Sequence, residues 1–132
     1  MTNDEIFKTV RTLLVDALSV DDDEINPQAR LQADLGAVSI DMLDIVFRLD
    51  REFKLGKIDR NELFPESIFQ GDPQFVQDGV VTPNGLEELR TKLPYAEASG
   101  MAKFAADPQL EKIGDLFTVD LIVRFVASKL AV

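Results

Sequence analysis

Asp34-Leu35-Gly36-Ala37-Val38-Ser39-Ile40-Asp41-Met42-Leu43-Asp44-Ile45-Val46-Phe47-Arg48-Leu49-Asp50-Arg51-Glu52-Phe53 is the stretch whose periodicity decides the fold. No glycine or proline falls between Ser39 and Phe53, so a helix can run from Ser39 to about Lys54, with Gly56 as a stop signal. Set Asp41 at 0° and advance by about 100° per residue. Ile45, Leu49, Met42, Phe53 and Val46 then fall between about 40° and 140°, wide enough for a buried face. Leu43, Phe47 and Ile40 fall between about 200° and 260°, a second apolar stripe. A surface helix needs one apolar face, so the second calls for a reason. Either a later segment of the chain covers it, or it docks a partner.

Working outward, Thr2 and Glu5 have capping-box spacing, and Ile6, Val10, Leu13, Leu14, Ala17 and Leu18 recur at helical spacing. These predict a first helix over Asn3 to Leu18. The acids Asp21 to Glu24 oppose a helix C-terminus, and Asn26-Pro27 signals a turn. A long loop then runs to Gly36, with Ile25, Leu31 and Leu35 as its anchors in the core. From Lys57 to Gly114 the pattern is broken by prolines and glycines. Within it, Thr82 as cap, Pro83 at the first helical position, and Leu86, Leu89 and Leu93 on one face predict another helix. Phe75 to Val81 reads as a short extended stretch. A last helix follows Thr118 as cap, with Val119, Ile122, Phe125, Val126 and Leu130 as its stripe. Several helices and no convincing sheet predict a small all-α bundle.

Composition narrows the chemistry. The 132 residues fit one domain, and 45% apolar with 29% charged residues are globular values. There is no cysteine and no histidine, which excludes disulfides, thiolate nucleophiles, Ser-His-Asp triads and histidine metal sites. Fourteen basic against 24 acidic residues give −10, which repels nucleic acid and anionic membranes and attracts basic protein surfaces. No window approaches the roughly 18 apolar residues of a membrane span, and Met1 to Glu5 carries no leader pattern, so a cytoplasmic location and no stable membrane insertion are expected. Asp16 to Asp44 hold eight acids and one base, Arg30, a net of −7 around Ser39. A serine at a helix start is first of all an N-cap, worth about 1 kcal/mol. The same place, with its free N–H groups and partial positive charge, suits a phosphodiester.

The segment Asp34 to Asp41, followed by a helix ending Asp50-Arg51-Glu52-Phe53, resembles the acyl carrier proteins, whose motif is Asp-Leu-Gly-x-Asp-Ser-Leu. The first helix, the long loop and Phe117-Thr118-Val119 opening the last helix also match that layout, over about residues 3–58 and 114–131. The resemblance implies an acyl-carrier-like four-helix bundle with an inserted helical or irregular segment. Residues 1–132 would form a single domain, with the insert at approximately 57–114. It implies that Ser39 receives 4′-phosphopantetheine covalently from coenzyme A, the arm's thiol then holding an acyl group as a thioester. Asp34, Asp41 and Asp44 match acidic positions recognised by partners, and Ile40, Leu43 and Phe47 match exposed docking positions. Ile45, Val46, Leu49 and Phe53 match the wall of the acyl pocket. The implied partners are a phosphopantetheinyl transferase and acyl-loading, acyl-transfer or synthase enzymes with basic surfaces. The carrier itself would be a monomer and not an enzyme, with no metal, serving fatty-acid or specialised lipid biosynthesis.

Three departures from the family pattern matter. Val38 stands where the motif has aspartate before the serine, which bears on the choice of transferase. Arg48 and Arg51 interrupt a helix that is more acidic in housekeeping carriers. The 57–114 segment is much longer than the usual connection, and the run from Leu43 to Phe53 is similar to carriers of very-long-chain acyl groups for lipid A. Phe64, Ile68, Phe69, Phe75, Val80, Val81 and Phe104 let the insert fold onto the bundle as a cover. Two other readings stand beside the carrier. One is an interaction module of the same fold that is not phosphopantetheinylated. The other is an enzyme using Asp41 and Asp44 as paired carboxylates.

Overall fold

The computed structural model describes residues 2–56, 63–64, 68, 70–93 and 100–130. The first helix, α1, spans Asn3–Leu18. Its capping box is closed in both directions: Thr2 Oγ1 accepts the Glu5 N–H at 3.2 Å, and Glu5 Oε1 accepts the Thr2 N–H at 3.3 Å. Ser19, in the left-handed conformation, ends it. The acids Asp22–Glu24 form a single 3-10 turn, in which the Glu24 carboxylate accepts the Asp21 N–H at 3.0 Å.

The second helix, α2, spans Ser39–Phe53. Its left-handed terminator is Lys54 (φ +54°), two residues before the expected Gly56. The Leu55 N–H closes back onto the Asp50 carbonyl at 3.2 Å, as in a Schellman turn. Gly56 is also left-handed but lies beyond the helix end.

Within residues 57–114, the stretch Phe75–Val81 read as extended is a hairpin, a small sheet where no convincing sheet was expected. Strands β1 (Val76–Gln77) and β2 (Val80–Val81) pair antiparallel, Val76 opposite Val81 and Gln77 opposite Val80. Asp78 and Gly79 have φ of +54° and +75°, the signs a type I′ two-residue turn requires. Helix α3 follows at Pro83–Lys92, with Thr82 Oγ1 accepting the Gly85 N–H at 3.1 Å. Then come α4 (Met101–Ala106), a 3-10 segment at Leu110–Leu116, and the last helix α5 (Val119–Leu130). Thr118 caps α5 through the Leu121 N–H at 3.2 Å.

Helix α1 lies against both α2 and α5. Ile6, Val10 and Leu14 from α1, Ile45 and Leu49 from α2, and Ile122, Phe125 and Val126 from α5 are buried in one apolar core. The loop anchors Ile25, Leu31 and Leu35 are buried there too. The same core takes Leu63, Phe64, Ile68, Val81, Leu89, Leu93, Met101 and Phe104 from the insert. Phe64 packs on Phe117 with ring centroids 5.2 Å apart. Phe75 is half-buried, while Val80 stays exposed because its side chain leaves the hairpin on the opposite face to Val81. Phe69 lies outside the described residues.

Candidate functional site

The loop before α2 is held from both sides. The Leu31 N–H donates to the Phe117 carbonyl at 2.9 Å, and the Val119 N–H donates to the Ala29 carbonyl at 2.9 Å. These bonds stitch the loop to the start of α5. The Ala37 N–H returns to the Leu31 carbonyl at 2.8 Å, closing the loop just ahead of Ser39. Arg30 sits at its base. Its Nε and Nη2 donate to the Asp34 carboxylate at 3.1 and 3.3 Å, and its Nη1 donates to Asp115 at 3.1 Å. The Arg30 backbone N–H adds a bond to Asp34 at 2.8 Å. The side-chain hydrogen bond from Arg30, with the backbone bond behind it, holds the Asp34 carboxyl below its ordinary value. The Asp34 side-chain bond likewise raises Arg30. The single base in the acidic Asp16–Asp44 stretch therefore ties that stretch to the 3-10 segment after the insert.

Ser39 is the first residue of α2, and the N-cap position belongs to Val38. The expectation that the serine caps the helix is thus corrected. A valine side chain has no acceptor, so Asp41 supplies the local bond instead, accepting the Val38 N–H at 2.9 Å. The backbone N–H groups of Ile40 and Asp41 have no acceptor among the described residues. The side chain of Ser39 itself lies outside what the structure describes.

The two faces of α2 separate cleanly. Met42, Ile45, Val46, Leu49 and Phe53 are buried, so the predicted acyl-wall positions line the core. The second stripe is open: Ile40 is 73% exposed, Leu43 45% and Phe47 67%, and Val38 at 58% extends it to the residue before the serine. Described residues between 57 and 114, among them Leu63, Phe64 and Ile68, are buried in the core, and the stripe stays exposed. Beside it, the Asp44 carboxylate accepts from Arg48 Nε at 2.8 Å. Asp34, Asp41 and Asp44, three acids singled out in the sequence, each have a partner within the chain. Asp41 is thus engaged by the Val38 N–H and Asp44 by Arg48.

Sequence reasoning counted Arg30 but gave it no role. Its signal was available: it is the one base among eight acids. Elsewhere, a cleft of about 520 Å³ opens between the loop at Pro27–Arg30, α4 and the start of α5. Among its charges Lys112 pairs with Asp107 at 2.7 Å, Asp120 with Arg124 at 2.8 Å and Arg30 with Asp115 at 3.1 Å, and no residue of α2 lines it. No described helix is long and apolar enough to cross a membrane.

A family model described as a phosphopantetheine attachment site matches residues 8–65, which include most of α1, the loop and α2. The chain is similar to the acyl carrier protein of Petrotoga mobilis, 42% identical over 53 residues, covering 40% of this chain and 62% of that relative. It is 36% identical over 53 residues to the acyl carrier protein of a Picosynechococcus species, covering 40% of this chain and 65% of the relative. It is 36% identical over 62 residues to that of Thermotoga maritima, covering 47% of this chain and 75% of the relative. The chain therefore spans slightly under two thirds of the first two relatives and three quarters of the third. No solved structure matches it.

Proposed function

The chain belongs to the acyl carrier protein family, and on that premise we propose that it is a carrier whose chemistry is completed by other enzymes. In this reading Ser39 holds 4′-phosphopantetheine through a phosphodiester. The group supplies a thiol on which an acyl chain can ride as a thioester, for fatty-acid or specialised lipid biosynthesis. The observation that carries the reading is the attachment-site match over residues 8–65 together with Ser39 at the opening of α2.

The residues present fit such a group. The N–H groups of Ile40 and Asp41 are without acceptors among the described residues, and the α2 N-terminus carries partial positive charge. Val38 places no side-chain acceptor there to compete for them. Loading would form a bond from Ser39 Oγ to phosphorus and break the pyrophosphate of coenzyme A. The adenosine bisphosphate half would leave, and the serine proton would pass to the transferase or to solvent.

The buried Ile45, Val46, Leu49 and Phe53 would wall the space for the acyl chain. The exposed Ile40, Leu43 and Phe47 would meet the phosphopantetheinyl transferase and the acyl-loading, acyl-transfer or synthase enzymes. The acidic run from Asp16 to Asp44 supports long-range attraction of basic enzyme surfaces. A single domain over 1–132 with the 57–114 insert as cover, working as a cytoplasmic monomer, belongs to the same reading.

The test is intact mass after incubation with coenzyme A, magnesium and a broad-specificity phosphopantetheinyl transferase. A gain of one phosphopantetheine, absent from Ser39→Ala, is expected. No gain, even with a transferase from the same source and with Val38→Asp, would leave the unmodified interaction module as the reading.

A further inference from the structure

The docking stripe does not stop at Phe47. Arg51 lies one helical turn further along the same face and is exposed. It has no ion pair or hydrogen bond among the described residues, whereas Arg48 is already engaged by Asp44. The charges along the stripe are thus arranged unevenly. At the serine end, Asp41 sits at the helix N-terminus with the Val38 N–H on its carboxylate. In the middle, Asp44 and Arg48 offset one another. At the far end stands the Arg51 guanidinium, at a groove that Asp16 and Glu52 also line, with no ion pair to either. Between Ser39 and Arg51 the helix rises about 18 Å, and between Phe47 and Arg51 about 6 Å. A standard interface of about 800 Å² per partner is wide enough to cover both ends at once.

Taking Ser39 as the attachment site, we propose that the transferase that loads it seats the apolar stripe Val38, Ile40, Leu43 and Phe47. In the same contact it presents a carboxylate to Arg51, about 18 Å along α2 from the serine. Arg51 is then a specificity-determining residue. The acidic field of the chain draws in an enzyme that is basic overall, and Arg51 selects one that is acidic at this single point. A carboxylate is the matching group because guanidinium binds it through two parallel N–H bonds, which fixes register as well as proximity. A uniformly basic seat would instead set like charges against Arg51 while closing the apolar stripe beside it.

The sign of one substitution decides the matter. In a chain of net charge −10, Arg51→Glu makes the protein more acidic, so a uniformly basic partner would bind it more tightly. Opposite a carboxylate the same change introduces repulsion. The experiment measures arm loading by intact mass, with the phosphopantetheinyl transferase of the same source and coenzyme A, for the full chain and for Arg51→Glu, Arg51→Lys and Phe47→Asp. Circular dichroism confirms that each variant is folded. Arg51→Glu is expected to raise KM for the carrier about tenfold with kcat unchanged, and the deficit should shrink at high salt. Arg51→Lys should recover most of the loss, and Phe47→Asp should lose more than Arg51→Glu at every salt concentration. An unchanged or lowered KM for Arg51→Glu overturns the proposal. So does a deficit that salt leaves untouched, which would mean that shape and not charge was lost. Failure of the unsubstituted chain to gain mass with any transferase would instead overturn the attachment at Ser39, so the two readings fail in different ways.

Discussion

Arg30 and Asp34 show how one ion pair can shape a loop that has little regular structure. Four hydrogen bonds from Arg30 reach two carboxylates, one in its own loop and one 85 residues away in sequence. Asp34 is exposed to solvent, so the pair acts on geometry more than on stability. Its pH dependence is nevertheless defined. The Arg30 side-chain hydrogen bond lowers the Asp34 pKa in the folded state. The stabilisation is therefore complete above the ordinary aspartate value of about 3.9 and is lost as pH falls through the lower folded-state value. A carboxyl-carbon NMR titration should show Asp34 with a midpoint below that ordinary value. In Arg30→Ala the midpoint should return upward. A midpoint unchanged by the substitution would assign the depression to another cause. At the same scale, Phe47→Asp should alter stability by no more than about 0.5 kcal/mol in urea unfolding, because Phe47 is already exposed. Leu49→Ala, on the buried face of the same helix, should cost about 2–5 kcal/mol.

At the scale of elements, α1, α2 and α5 follow their local signals closely. Apolar spacing and the absence of breakers agree in all three, and threonine caps open α1 and α5, while α2 starts at Ser39 without the expected serine cap. The insert is harder to read because its elements are short. Its hairpin did carry a signal in Asp78-Gly79, a pair suited to a type I′ turn, but two-residue strands are too brief to show alternation. The hairpin is completed from outside. The Val81 N–H donates to the Pro108 carbonyl at 2.7 Å and the Leu110 N–H donates to the Gly79 carbonyl at 2.9 Å, pairings with a segment that no local pattern announces. Helix α3 then packs so closely on the hairpin that a Cβ at Gly85 would run into the Phe75 carbonyl oxygen and the Val81 side chain. Gly85→Ala should therefore destabilise by about 1–3 kcal/mol, even though alanine favours helix over glycine. A stabilised variant in urea unfolding would show that α3 can move off the hairpin freely.

For the molecule as a whole, buried described residues between 57 and 114 belong to the same apolar core as the helices of the bundle. Leu63, Phe64 and Ile68 pack with residues of α1, α2 and α5, and Phe64 stacks obliquely on Phe117 at the start of the last helix. Phe64→Ala should accordingly cost about 3–5 kcal/mol and lower the unfolding midpoint of the entire protein in one transition. Two separate transitions, with only the first affected, would mean that the insert folds on its own. The sequence by itself determined α1, α3 and α5 with their threonine caps, the two apolar faces of α2 and the place of Ser39, because each depends on residues within a few turns of one another. It could not decide whether the stripe of Ile40, Leu43 and Phe47 was core or surface, since either role has the same periodicity. Only the tertiary structure settled that, by burying Leu63, Phe64, Ile68, Val81 and Phe104 in the core and leaving the stripe in solvent. It also decided that Arg30 reaches Asp115, a bond that depends on distant segments meeting in space, whereas the partners of Asp34, Asp41 and Asp44 all lie within four residues of them.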